Sequence, residues 1–275
     1  MNTAIIASSK DPAGANIRNN LIRLFNFEKI GEKFGNTDIF QYDKIQNKKI
    51  RLYLINDDLI YAENIDKKIP ADVFIFASKH RSKENTPSFA IHPIGNWGKA
   101  DFGGEEKKIC FSSAVLLKNL FVELNKVAKY SNYEITMEAT HHGPYVEKPA
   151  VFVEIGSTEK EWNDAINGEI TAKTIMKVFG KEDQNYISCV LVGGGHYNQA
   201  ANKLMLRTNY EVGHICPKYA LEYLDEEMLM QTINKTIPKP EIVLVDWKGL
   251  GQYKQKTIAL LEKLKIKYER VQNIL

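Results

Sequence analysis

No run of about eighteen apolar residues occurs in this 275-residue chain, so no segment reads as a membrane-spanning helix. There are three cysteines, Cys110, Cys189 and Cys216, and no Cys-x-x-Cys pair. That excludes a disulfide framework and an all-cysteine metal site, and Cys189, inside an apolar run, reads as a buried hydrophobe. Gly-x-Ser-x-Gly, His-Glu-x-x-His, Gly-x-Gly-x-x-Gly and Walker sequences are missing as well. A serine-hydrolase elbow, a zincin helix and the usual nucleotide loops are therefore not expected. No repeat, low-complexity tract or Pro/Gly/Ser linker divides the chain, so one α/β domain over residues 1–275 is expected. The first residues, Met1 to Ser9, lack a basic lead and are too short in apolar length for a signal peptide. They read as the first buried strand of a cytoplasmic protein.

What is present alternates. Strands are expected over 3–8, 50–55, 72–78, 133–139, 150–155, 187–193, 210–215 and 241–246, and helices over 13–26, 111–130, 158–179, 197–208, 217–233 and 251–267. That order predicts a mixed, mostly parallel central sheet with helices on both faces. Asp11-Pro12 supplies an N-cap acceptor and a proline at the first helical position, and Thr158 with Glu161 forms a capping box. Residues 79–108 interrupt the alternation. They carry His80, His92, Trp97 and four glycines, and a structureless stretch of that length in a compact domain reads as a functional loop.

The six histidines all follow strand-like runs. His80 follows Val73–Ala77, His92 follows Phe89–Ile91, and His141 and His142 close the run from Tyr133. His196 comes after Cys189–Val192 and three glycines, and His214 ends Tyr210–Gly213. Ligands of open α/β sheets bind beyond the carboxyl ends of the strands, so parallel strands would gather these imidazoles along one sheet edge. Imidazole there serves as a metal ligand or a proton carrier.

Glu138-Ala139-Thr140-His141-His142-Gly143-Pro144 pairs a carboxylate with two histidines at a strand end broken by Gly-Pro. Strict alternation would send His141 and His142 to opposite faces, whereas a turn allows both to face one cleft. Gly193-Gly194-Gly195-His196-Tyr197 joins a strand to a helix, and its bare backbone could cradle a phosphate or an oxyanion. A helix N-terminus there would keep His196 neutral. His80 with Arg81 could bind a phosphate, His92 could be a packed strand end, and His214 reads equally as a satisfied core histidine. The formal charge of +3 is uninformative, but Lys79–Lys83 and the run from Lys248 to Arg270 are basic. Such runs are ordinarily solvated faces and can also follow RNA phosphates.

Several ordered segments go further. Ser78–Ser82, Ala90–Gly98, Glu138–Pro144, Phe152–Thr158, Gly193–Tyr197, Gly213–Ala220 and Asp246–Leu250 together resemble the D-aminoacyl-tRNA deacylases of archaea and plants. The resemblance runs from Ala7 to about Leu250. It implies a zinc-dependent monomer with an α/β fold related to peptidyl-tRNA hydrolase and nucleoside phosphorylases. The implied reaction is hydrolysis of the ester between a D-amino acid and the terminal ribose of tRNA. Chemistry then assigns roles. A metal-activated water attacks the ester, with His142, His196, His80 and His214 as candidate ligands of one zinc or two. Glu138, His141 and His80 are candidate acid–base residues. Arg81, His92, Trp97, Gly193, Gly194, Gly195, Tyr197 and Lys248 are candidate contacts to the acceptor end, with Trp97 or Tyr197 stacking on the terminal adenine. The rival expectations are a phosphorylase-like transferase and a non-catalytic tRNA-binding module. Neither a membrane nor a protein partner is implied.

Overall fold

The computed structural model describes residues 1–181 and 184–275. Its strands in chain order are β1 (Asn2–Ser8), β2 (Glu28–Phe34), β3 (Thr37–Tyr42), β4 (Lys49–Ile55), β5 (Val73–His80), β6 (Ser88–Pro93), β7 (Gly95–Asn96) and β8 (Lys108–Ile109). They continue with β9 (Ser112–Ser113), β10 (Glu134–Met137), β11 (Ala150–Gly156), β12 (Ile187–Val192), β13 (Tyr210–Cys216), β14 (Thr236–Ile237), β15 (Ile242–Val245) and β16 (Tyr268–Arg270). The helices are α1 (Pro12–Phe25), α2 (Ile65–Lys68), α3 (Ala114–Val127), α4 (Glu159–Asn163), α5 (Ala165–Val178), α6 (Gln199–Arg207), α7 (Glu226–Asn234) and α8 (Lys254–Lys263).

The strands form two principal sheets where the sequence pattern suggested one. The larger has the order β10-β6-β11-β5-β1-β4-β3-β2, the smaller β13-β12-β15-β16. In the larger sheet β11, β5, β1 and β4 are parallel, and β6 runs antiparallel to β11 with β10 parallel to β6. The smaller sheet is parallel throughout.

Alternation along each strand divides the core. Ile75 and Ala77 of β5, with Val151, Val153 and Ile155 of β11, join the core that also holds Ile17 and Leu21 of α1, Leu120 and Phe121 of α3, and Ile175 of α5. Phe74, Phe76 and Phe152 face the other way, and Phe76 stacks on Phe152 with centroids 4.9 Å apart. In β12, Cys189 and Leu191 join the first core while Val190 and Val192 meet Met228, Leu229 and Leu261 of α7 and α8. Helices thus pack on both faces of the smaller sheet, as a parallel sheet requires. Among the described residues no helix is long and apolar enough to cross a membrane.

The capping signals act as read. Asp11 Oδ1 accepts from the Gly14 amide at 2.9 Å, and the Glu161 carboxylate accepts from the Thr158 amide at 3.0 Å. The helix expected over 158–179 is broken, because Asp164 caps α5 by accepting from the Ile166 amide at 2.9 Å. The helix expected over 217–233 starts late, at the Asp225 cap of α7. The β2–β3 hairpin gave little signal, since its strands are charged and half-exposed at a sheet edge. Residues 79–108 are no structureless loop. They contain β6, every residue of which is buried between β10 and β11. The strand is short, and its Ser88 and His92-Pro93 ends resemble turn chemistry.

A test of β6 as an interior strand is Ile91→Ala. Ile91 is fully buried, so the loss should be about 2–5 kcal/mol in urea denaturation. A loss below about 0.5 kcal/mol, typical of an exposed loop residue, would refute the placement.

Candidate functional site

The larger sheet presents one side of the site on its face. His80 pairs in register with Gly156, and His92 pairs with Phe152 on the antiparallel side. Glu154 lies between those two positions, on the same face as Phe152, because side chains alternate along β11. Each histidine lies at the carboxyl end of its strand, and because β5 and β6 run in opposite directions the two reach Glu154 from opposite sides. His80 Nδ1 is 3.4 Å from Glu154 Oε2, and His92 Nε2 is 3.8 Å from Oε1. The His92 ring lies parallel to Phe152, 5.1 Å between centroids. Five of the six histidines expected to gather do so, but over a sheet face instead of along a carboxyl edge, because β6 and β10 are reversed.

β10 ends at Met137, and Glu138 follows with its amide on the Ile91 carbonyl. The chain then turns, with His142 at φ +42°, so His141 and His142 face the same cleft with centroids 4.3 Å apart. The smaller sheet closes the site from the other side. The loop after β12 brings His196 and Tyr197 against Glu138 and Ala139, whose amide bonds the His196 carbonyl at 2.9 Å. His196 precedes the cap of α6, which is Asn198, so it does not sit on a helix N-terminus.

Glu138 is at the centre. It is wholly buried and neither carboxylate oxygen has a hydrogen-bond partner. His80 Nδ1 at 3.3 Å, His196 Nε2 at 3.5 Å and His141 Nε2 at 3.7 Å surround it. A buried carboxylate without hydrogen bonds costs several kcal/mol unless a cation stands beside it. Three groups of side chains bring ligand atoms within 4.8 Å of one another: His92, His141 and His142; Glu138, His141 and His196; and His80, Glu138 and Glu154.

The imidazoles divide into two kinds. Nδ1 of His92, His141 and His142 lies 3.1, 2.8 and 2.6 Å from the carbonyls of Pro93, Ala139 and Gly143. A carbonyl only accepts, so each Nδ1 carries a proton. In His141 and His142, where burial disfavours a second one, Nε2 keeps a lone pair, the arrangement of a metal-ligating histidine, whereas Glu154 beside Nε2 raises His92. Burial, reinforced by His92, His142 and His196, pushes His141 well below the usual imidazole range. Burial and His92 lower His142 to about 4. His80 goes the other way. Burial opposes its charge, but the carboxylates of Glu154 and Glu138 outweigh burial and lift it to about 9. Burial likewise opposes a charge on Glu154, yet His80 and His92 hold its carboxyl below the usual range. The outer nitrogen of His80, Nε2, meets the Tyr197 hydroxyl at 3.0 Å.

The other expected site residues fall in different places. His214 is fully buried in β13 with Nδ1 3.1 Å from Thr140 Oγ1, belongs to none of the three ligand groups, and burial lowers it to about 3. It packs as a core histidine behind Thr140. Trp97 is 4% exposed, with its indole N–H on the Thr140 carbonyl at 2.9 Å. It is a wall of a cavity of about 360 Å³ that also involves Phe102, Tyr219, Tyr223, His141 and His142, and offers no exposed stacking face. Tyr197 is 40% exposed, with the rings of His80 and His196 beside it at 5.8 and 5.2 Å. Arg81 lies over the Trp162 ring at 5.2 Å, in a separate shallow cleft with Ser82 and Lys83. Gly194, Gly195 and Lys248 border a second cavity, of about 710 Å³, and the Gly193 amide is spent on the Cys216 carbonyl at 2.8 Å. The basic run after Lys248 is partly spent too. Lys256 bonds the Leu221 and Glu222 carbonyls and Lys263 pairs with Glu226.

Sequence reading missed Glu154, Tyr219 and Phe102. Only Glu154 carried a signal: it is the one charged residue in the otherwise apolar, wholly buried strand Ala150–Gly156.

Comparison with known proteins places this geometry in a family. A family model described as D-aminoacyl-tRNA deacylase matches residues 67–269. A D-aminoacyl-tRNA deacylase of Thermococcus onnurineus is 33% identical over 97% of this chain and 98% of its own length. One from Methanosarcina acetivorans is 35% identical over 96% of this chain and 90% of its own length. A crystal structure of a protein described only as conserved and of unknown function superposes with a TM-score of 0.89 at 31% identity, covering 98% of this chain and 95% of the other. The chain belongs to the D-aminoacyl-tRNA deacylase family.

Proposed function

We propose that this protein hydrolyses the ester joining a D-amino acid to the 3′ end of tRNA, with a zinc ion held in the histidine–glutamate cluster. The observation that carries the reading is Glu138, wholly buried with both oxygens unpartnered, among imidazoles whose Nε2 lone pairs are free. Those donors suit zinc. His92, His141 and His142 would hold the ion through Nε2, with His196 and Glu138 next to them. Such an ion acidifies water at neutral pH and polarises a carbonyl.

The chain's own groups supply the rest. Glu138 takes the proton of the attacking water, since its oxygens have no other partner. His80 Nδ1 faces two carboxylates and keeps its proton, so its Nε2–H is directed at the Tyr197 oxygen. Tyr197 can then pass its hydroxyl proton to the departing ribose oxygen and recover one from His80. The cavity bounded by Trp97, Phe102 and Tyr223 opens beside His141 and His142 and is of a size for an amino-acid side chain. Family membership leaves the transferase and non-catalytic readings without support. The substrate is the acceptor end of charged tRNA, and the cytoplasmic setting and the monomer are carried over from the family resemblance as part of this proposal.

Purified protein supplied with zinc should release D-tyrosine from D-tyrosyl-tRNA and spare the L-ester; an intact D-ester would end this reading. His141→Ala and His142→Ala should bind zinc substoichiometrically by elemental analysis, while His214→Ala keeps it. Full occupancy in the first two variants would remove the ligand assignment. Tyr197→Phe should retain zinc and lose about 10²-fold or more in kcat, the scale of one general acid. A kcat within threefold of the parent would exclude the His80–Tyr197 route.

A further inference from the structure

The smaller sheet has a topological switch point whose crevice lies beside the histidine–glutamate cluster and is not part of it. From β12 the chain moves to β13 on one side, then crosses to β15 on the other. Ligands of open parallel sheets bind outside the carboxyl ends of the strands where such connections diverge. Here the loop Gly193–Tyr197 after β12 and the loop Asp246–Leu250 after β15 pack against each other, Gly249 on Gly194, and together border the cavity of about 710 Å³.

The carbonyls of the glycine loop are already bonded within the protein. Asn198 Nδ2 donates to the Gly193 carbonyl at 3.0 Å and the Gly195 carbonyl at 3.3 Å, and the Lys218 amide donates to the Gly194 carbonyl at 2.8 Å. Among the described residues the amides of Gly194 and Gly195 donate to nothing. Gly194 has φ +87°, and a side chain there would meet Asn198 Nδ2 at 2.6 Å; one at Gly249 would run into the Gly194 amide. Both positions are thus kept bare for close backbone approach. Lys218 and Lys248 border the same space, and among the described residues neither ammonium is in an ion pair. Asp246 is the acid on these loops: Gln272 holds its Oδ1 at 3.0 Å, and its Oδ2 lies beside Gly249. These two free amides and two unpaired ammonium groups outweigh that one carboxylate, and such an excess of donors and positive charge marks an anion site. Tyr219 and Tyr253 add aromatic faces, and the Tyr219 hydroxyl lies 3.2 Å from His196 Nδ1, joining the crevice to the cluster.

We propose that this crevice binds a phosphodiester of the single-stranded 3′ end of the substrate RNA, through the Gly194 and Gly195 amides with Lys218 and Lys248. The assignment rests on the proposed function for its substrate, and gives the glycine loop a phosphate instead of the oxyanion. The reacting ester, one nucleoside away, then reaches the histidines.

The probe is a fluorescein-labelled RNA tetramer ending in CCA, titrated against the whole protein and its Lys218→Gln/Lys248→Gln variant. Affinity should fall roughly tenfold or more, and the slope of log affinity against log salt should lessen by about 1.4, two contacts at about 0.7 each for single strands. An unchanged slope with affinity within twofold overturns the proposal. In deacylation, the variant should lose kcat/KM on D-tyrosyl-tRNA through KM, and lose far less on the D-tyrosyl ester of adenosine, which has no phosphodiester. Equal losses on both substrates also overturn it. If the parent protein cleaves neither ester, the hydrolase reading fails, and the RNA titration still decides this one.

Discussion

The structure depends on one buried carboxylate. Glu138 lies where the two sheets meet, with its amide on the Ile91 carbonyl and its backbone bridged to Tyr197. It has no solvent and no hydrogen bond to offset its desolvation. Its neighbours are instead imidazoles from β5, from the turn after β10 and from the loop after β12. A charge in that setting requires a compensating cation, and the fold brings up groups that can be one or hold one. Replacing Glu138 by an apolar residue would relieve the cost and leave the histidines without a centre.

Glu154 shows the alternative solution a few ångströms away. It too is buried, but His80 and His92 stand at its two oxygens, and its carboxyl stays ionised. The pair of carboxylates separates the imidazoles by role. His80 and His92 are raised by the acids beside them, whereas His141 and His142, crowded by other histidines, are lowered. Environments that push like groups apart are how acid, base and ligand roles are distributed within one cleft. His92 belongs to both halves. Its Nδ1 is fixed by the Pro93 carbonyl while its Nε2 lies between Glu154 and the other histidines.

Much of this was legible. The alternating pattern gave the core strands and most helices, and five of the six histidines placed after apolar runs join the cluster. Local signals failed where pairing partners decide the outcome. Nothing in Ser88–Pro93 distinguishes an interior strand from a loop end, because its burial comes from β10 and β11 on either side. His214 and His196 look alike in sequence, each after an apolar run containing glycine. One became core and the other half-exposed, since β13 continues through His214 while β12 ends before its glycines. Trp97 promised a stacking surface, and the cavity wall it became was fixed by the Thr140 carbonyl, 43 residues away in sequence.

The reversal of β6 accounts for the two-sheet arrangement itself. Were β6 and β10 parallel to β11, His80, His92 and Glu138 would leave the sheet at one edge, and the loops of a single sheet could enclose them. Because they are antiparallel, His80 and His92 approach from opposite ends and meet over the middle of the sheet, at Glu154. A polar cluster on a sheet face needs a cover that supplies polar partners, which an apolar helix cannot do. The carboxyl ends of β12 and β13 can, and they bring His196, Tyr197 and Tyr219 with them. The smaller sheet is thus both the lid of the histidine–glutamate cluster and the owner of the adjoining crevice. That shared element is what can hold a nucleotide and an ester in fixed relation.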